Sequence, residues 1–171
     1  MPSRFYSQKD IDTFDKFNKE LVGNLSTEQD GIINQPVIIY KVSVTDTEVN
    51  MYGETSQGKV FKPGVQITAL VNAEDQTTTT DEFGPDLGRE ASFAFIREDL
   101  VDANTVPEVG DIVMWHEDYY EVDTVRENQL FVGRDSSYNL TKYGNKFGSS
   151  VSIIVDCHLT RADRVGIARA R

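Results

Sequence analysis

The stretch from Pro107 to Gly133, PEVGDIVMWHEDYYEVDTVRENQLFVG, constrains the fold of this chain more than any other. Asp111 to Trp115 is an apolar strand, with Ile112, Val113, Met114 and Trp115 in unbroken succession. His116-Glu117-Asp118 is a short polar turn. Tyr119 to Val125 returns with alternating polarity, placing Tyr120, Val122 and Thr124 on one face and Glu121 and Asp123 on the other. Arg126 to Gln129 reads as a second polar turn and Leu130-Phe131-Val132 as the next strand. Period-two alternation between such turns specifies a half-buried antiparallel meander of two successive hairpins. Gly110 allows a sharp turn into the first strand, and Pro107 stiffens the approach.

Further strands are expected at 36–44 (PVIIYKVSV), 64–73, 91–96 (ASFAFI) and 151–159 (VSIIVDCHL), with a short strand or extended edge in 46–54. In 64–73 the residues Val65, Ile67, Ala69 and Val71 alternate with Gln66, Thr68 and Asn72, after a Pro63-Gly64 turn. Residues 8–22 read as a helix, because Ile11, Phe14, Phe17 and Leu21 recur at three- and four-residue steps. Ser7 is its expected N-cap, with Asp10 three residues on, and Gly23 its stop. The apolar stripe packs on the β-core or docks on a partner; the core is the expected side. A second, short helix is expected at 98–103, with Leu100 and Val101 tucked in. The expected fold is mainly β: an antiparallel β-barrel or sandwich with an N-terminal helix and a short helix before the central meander. Residues 1–35 form a helical arm, 36–159 the β-core, and 160–171 a basic tail.

Two excursions interrupt the core, at 74–90 and 133–148. The first carries Thr77, Thr78, Thr79 and Thr80 in a row and a lone aromatic, Phe83. Threonine favours strands, but nothing in the segment supplies a buried face, so it reads as a long loop or a flexible hairpin tip. Loops of this length in a compact domain are usually functional or disordered, and function here means contact with another chain. The tail holds Arg161, Arg164, Arg169 and Arg171 against one aspartate, a net +3. The chain as a whole carries −11, so the rest carries −14. That asymmetry favours docking of the tail onto an acidic protein neighbour, another copy included, over phosphate contact or a solvated end. The four arginines, Thr77 to Thr80 and Phe83 are the expected inter-subunit contacts.

Apolar residues make up 39% of the chain, a thin core for 171 residues. Either some elements fold against a partner or the chain is a loop-rich monomer. The acidic balance, with a pI of about 4.6, argues against binding the outside of duplex DNA, where affinity comes from Lys and Arg on phosphates. An acidic wall still suits DNA that must slide past. No apolar run reaches 18 residues and the N-terminus lacks an apolar signal region, so neither a membrane span nor secretion is expected. The sequons at Asn24 and Asn139 are then chance matches.

No catalytic constellation stands out. His116 beside Glu117 and Asp118 lacks the ligand count and spacing of a zinc or calcium site. Cys157, in an apolar run, is expected to be a buried, inert thiol. Adjacent strand residues face opposite ways, so Cys157 and His158 do not form a nucleophile–base pair. The glycines match neither phosphate-cradling pattern. No cofactor or metal is expected, and an enzyme is not the expected class.

The series Tyr52-Gly53-Glu54-Thr55, Lys59-Val60-Phe61 and the strand from Val65, then Phe93 to Arg97, Pro107-x-x-Gly110-Asp111-Ile112-Val113 and Tyr120-Glu121-Val122, resembles the neck proteins of contractile-tailed phages of the T4-like group. The match covers residues 46–138 as an ordered series of short pieces. The resemblance implies a structural virion protein between portal and tail. Such proteins form rings, hexamers or dodecamers, that close the DNA-filled head and offer the tail a docking surface. Implied partners are further copies of the chain, a portal or adaptor ring and a tail-terminator ring, with DNA passing through the lumen. The family brings no catalytic residues. A tail terminator or baseplate component is the alternative reading.

Overall fold

A computed structural model of the chain describes residues 8–23, 31–33, 35–47, 59–81, 84–129, 152–161 and 165–166. Seven strands form one antiparallel sheet: β1 (Pro36–Tyr40), β2 (Val65–Thr68), β3 (Leu70–Ala73), β6 (Glu90–Ile96), β7 (Ile112–Trp115), β8 (Asp118–Gln129) and β9 (Ser152–Thr160). Two more, β4 (Thr77–Asp81) and β5 (Gly84–Gly88), pair only with each other among the described residues. The helices are α1 (Gln8–Val22) and α2 (Arg97–Asp102). The fold is thus mainly β, as expected, with the short helix one residue from its expected place.

Strand order in the sheet is β2-β1-β7-β8-β9-β6-β3. Its two edges, β2 and β3, are consecutive pieces of one extended segment separated only by Ala69. The expected single strand at 64–73 breaks there because the segment changes neighbours: β2 bonds to β1 and β3 bonds to β6. Ala69 is fully buried at the corner, and its amide donates to the Gln35 carbonyl at 3.0 Å. The sheet therefore coils until its edges meet. It is not a closed barrel, since β2 and β3 do not pair with one another; it is compatible with a sandwich.

The enclosed face holds the main core. Along β6, Ala91, Phe93 and Phe95 point inward, and along β9 Ile153, Val155 and Cys157 do so, at the spacing of two that a strand imposes. Val37, Ile39, Ile67, Val113, Tyr120 and Val122 complete it, with Leu100 of α2 plugging one end. Phe93 meets the ring of Tyr120 edge-on at 5.6 Å. Each fully buried side chain of this size contributes about 1.5–3 kcal/mol relative to exposure.

The unbroken apolar run of β7 has a direct cause: both faces are covered. Val113 and Trp115 face the main core, whereas Ile112 and Met114 join a second cluster with Tyr119, Tyr40, Phe61 and Val165 on the opposite face.

The meander differs from the sequence expectation in two places. The first turn is two residues long, not three: Trp115 pairs with Asp118, and His116 and Glu117 have φ of +48° and +71°. Positive φ at both positions is the type I′ geometry that matches strand twist. The second turn expected at 126–129 does not exist. β8 continues to Gln129, and a bulge at Asp123 shifts its phase: Val122 pairs with Cys157 and Thr124 with Asp156. Thr124 therefore points outward and Val125 packs on the core instead. Residues 130–132 and the 133–148 excursion lie outside the described residues.

Gly110 does make the expected turn, at φ +89°. Next to it, buried Asp111 takes the Val42 amide on Oδ1 at 2.9 Å and the Glu108 amide on Oδ2 at 2.8 Å. It thereby fastens the segment after β1 to the start of β7. The strand expected over 36–44 ends at Tyr40, followed by an isolated Val42–Phe61 bridge.

The C-terminal turn of α1 is tied to the sheet. Gly23 stops the helix at φ +77°, as expected, and its carbonyl accepts the Thr68 hydroxyl at 2.9 Å. The Ile33 amide caps the Leu21 carbonyl at 2.8 Å. Phe17, however, is 58% exposed and Leu21 is exposed as well. At these positions the stripe does not pack on the core, contrary to expectation, because strand residues and Leu100 already fill the enclosed face. Ser7 and the side chains of Ile11 and Phe14 lie outside the described residues.

Candidate assembly surfaces

Of the two forms expected for the segment 74–90, a long loop or a hairpin tip, the structure has the second, as a paired β-ribbon. Thr77 pairs with Gly88, Thr78 with Leu87, Thr79 with Asp86, Thr80 with Pro85 and Asp81 with Gly84. Backbone pairing needs no buried face, which is why four threonines suffice. Thr77, Thr78 and Thr80 are exposed, and the Thr77 hydroxyl donates across the ribbon to the Gly88 carbonyl at 3.1 Å. Leu87 is also exposed. A two-stranded ribbon is marginal in water by itself, so this one gains from packing on a neighbour. Its base is fastened by Arg89, whose Nε donates to the Glu74 carbonyl at 2.9 Å and whose guanidinium lies 5.4 Å over the Trp115 ring. Phe83 falls outside the described residues.

The tail begins where β9 ends. Arg161 is exposed beside the end of the strand. Arg164, Arg169 and Arg171 lie outside the described residues. The sequence reading missed Val165. It is buried against Ile112 and Tyr119, so the basic segment is anchored on its own sheet before it can reach a neighbour. An apolar residue amid arginines was the available signal. Tyr40, in the same cluster, has its phenol pushed above the ordinary value by burial and by neighbouring Tyr119.

The outer face of β8 and β9 is polar. Asp156 accepts from Thr124 Oγ1 at 2.9 Å and from Arg126 Nη2 at 2.6 Å. Burial opposes its ionisation, but hydrogen bonds from Thr124, Arg126 and Ser92 outweigh that and hold its carboxyl below the usual range. The bulge residue Asp123 meets His158 Nδ1 at 2.8 Å, and Lys59 pairs with Glu121 at 2.5 Å. These pairs are solvent-exposed and add little stability each. They make a saturated, mixed-charge surface.

His116 lies in the I′ turn and stacks on Trp115, with ring centroids 4.3 Å apart and planes 19° from parallel. Cys157 is buried, and burial pushes its thiol well above the ordinary value, while His158 points to solvent on the other face. The two cannot act as nucleophile and base. Among the described residues, no three His, Cys, Asp or Glu side chains converge on a point that would hold a metal ion. Among the same residues, no helix is long and apolar enough to cross a membrane.

No protein-family model matches the chain, and no curated protein matches it in sequence.

Proposed function

We propose that this chain is a structural virion protein of a phage neck, forming a homo-oligomeric ring that closes the DNA-filled head and joins it to the tail. One observation carries the reading beyond the sequence resemblance. The chain completes a buried core and still extends a β-ribbon, Thr77–Asp81 with Gly84–Gly88, whose strands pair only with each other among the described residues. A subunit that works by contact needs a rigid core and projecting elements of this kind. The ribbon and the tail arginines Arg161, Arg164, Arg169 and Arg171 are the proposed contacts to neighbouring copies or to the portal and tail-terminator rings. The acidic body suits a lumen along which DNA slides without sequence-specific binding.

The test is assembly in vitro. Chain lacking residues 78–87, with the ribbon closed by a short glycine turn, is expected to fold but to lose binding to filled, tailless heads. Unimpaired binding by that variant contradicts the ribbon's role. Binding of the intact chain to isolated tails and not to heads assigns it to a tail terminator or baseplate instead.

A further inference from the structure

We infer that the ribbon β4–β5 is hinged on the sheet and that Arg89 is the clasp that sets its angle. The hinge is a change of register. Ala73 pairs with Ala91, and the Glu74 amide still reaches the Glu90 carbonyl at 2.9 Å, but the next pair is Thr77 with Gly88. Asp75 and Gln76 therefore stand opposite Arg89 alone. Two residues against one make a bulge, and a bulge bends the strand that carries it. Asp75 and Gln76 are exposed and do not brace the bend.

Arg89 spans the joint. Its carbonyl accepts the Leu159 amide at 2.8 Å, one rung beyond the Glu90–His158 pair, which ties it to β9. Its Nε donates to the Glu74 carbonyl at 2.9 Å across the bulge, and its guanidinium lies 5.4 Å over the Trp115 ring. Trp115 is a fixed platform: its Nε1 donates to Gln35 Oε1 at 3.3 Å, and its ring meets Phe93 edge-on at 6.4 Å. The backbone bond belongs to the sheet, whereas the two side-chain contacts hold the base of the ribbon against it. A partly exposed cation over a ring and one side-chain hydrogen bond are each weak. The clasp therefore opens while the sheet stays folded, as local openings do.

A second position for the guanidinium lies beside the first. The Tyr120 ring is 6.3 Å from that of Trp115, and its hydroxyl is buried with no hydrogen-bond partner among the described residues. A buried hydroxyl left in that state is costly. Burial raises the pKa of this phenol and the nearby Arg89 charge opposes the rise, so the guanidinium is within electrostatic reach of the oxygen. With the guanidinium on the Trp115 face, the Glu74 carbonyl is held and the ribbon is fixed. With it turned onto the Tyr120 oxygen, the phenol gains a donor, Glu74 is released and the ribbon pivots on its bulge. The hinge stands on these contacts alone; its use in docking the ribbon on a neighbour rests on the neck reading.

Trp115 is the only tryptophan in the chain and the only cysteine, Cys157, is buried, so a Thr80→Cys chain carries one fluorescent donor and one accessible labelling site. Time-resolved energy transfer from Trp115 to an acceptor on residue 80 reads the ribbon's angle as a distribution of distances, with the unlabelled form of each variant supplying the donor lifetime. The expected result is a main distance with a minor second one. Arg89→Ala broadens the distribution, and Arg89→Lys, which keeps a cation and a donor, broadens it less. Tyr120→Phe removes the minor distance. Nuclear Overhauser contacts between Thr78 and Leu87, opposite each other in the ribbon, persist in Arg89→Ala because the ribbon turns without unzipping. An unchanged distribution in Arg89→Ala, loss of the Thr78–Leu87 contacts in that variant, or a minor distance that survives Tyr120→Phe each overturns the inference. The neck reading fails on a different observation, absence of the chain from particles, so the two failures are separable.

Discussion

Asp111 holds the amide of Val42 at 2.9 Å across 69 residues of sequence, from a carboxylate that is almost fully buried. Its other oxygen holds the Glu108 amide. Asp111→Ala orphans both donors and is expected to cost about 2–4 kcal/mol in denaturant unfolding. Burial raises the Asp111 pKa above 3.8, against the pull of the Val42 and Glu108 amides and of Lys41. A raised folded-state value means that this group's contribution is present at low pH and fades as pH rises through the shifted value. The stability of the wild type relative to Asp111→Asn should therefore fall as pH rises from below about 3.8.

Glu117 occupies the second position of a I′ turn at φ +71° with a side chain that resists that conformation. Glu117→Gly is expected to stabilise the protein by about 1 kcal/mol, read as a rise in melting temperature. His116 is better suited to its φ of +48° and is also stacked on Trp115, so His116→Gly should gain less or lose.

Val165 seals Ile112 and Tyr119 from the tail side. Val165→Asp is expected to cost about 2–3 kcal/mol, through an unpaired charge set against apolar surface. Truncation after Gly166 should leave stability within about 0.5 kcal/mol of the full chain. An equal effect of both changes contradicts the placement of Val165.

Cys157 faces the core between Val122 and Ala91. A thiol reagent should leave the native chain unmodified and react fully in denaturant. Because burial pushes the thiol upward, raising the pH to 9 should not make it reactive while the fold persists.

How far the sequence could be read depended on whether the determining contacts were local. The β6 and β9 alternation, the Gly23 stop and the Gly110 turn are local and were legible. The bulge at Asp123 was not anticipated, although Val122 and Val125 stand three apart, a spacing that regular alternation does not allow. Only the pairing of Val122 with Cys157 and Thr124 with Asp156 reveals why. The doubly apolar β7 was read as a strand, but its second cover, Val165, lies far along the chain inside a basic segment. The threonine run reads equally as a loop or a hairpin tip for want of a buried face; the backbone pairing of Thr77–Asp81 with Gly84–Gly88 decides for the hairpin. The exposure of Phe17 follows from volume: the strands fill the core without it, and no local pattern encodes that sum.

A ring-forming virion role is tested most directly by the copy number of this chain in purified particles, measured beside its mass in solution. About six or twelve copies per particle, as one or two closed rings would supply, is the expected result. A number in the hundreds would make it a tube or capsid protein, and absence from particles would contradict the structural role altogether.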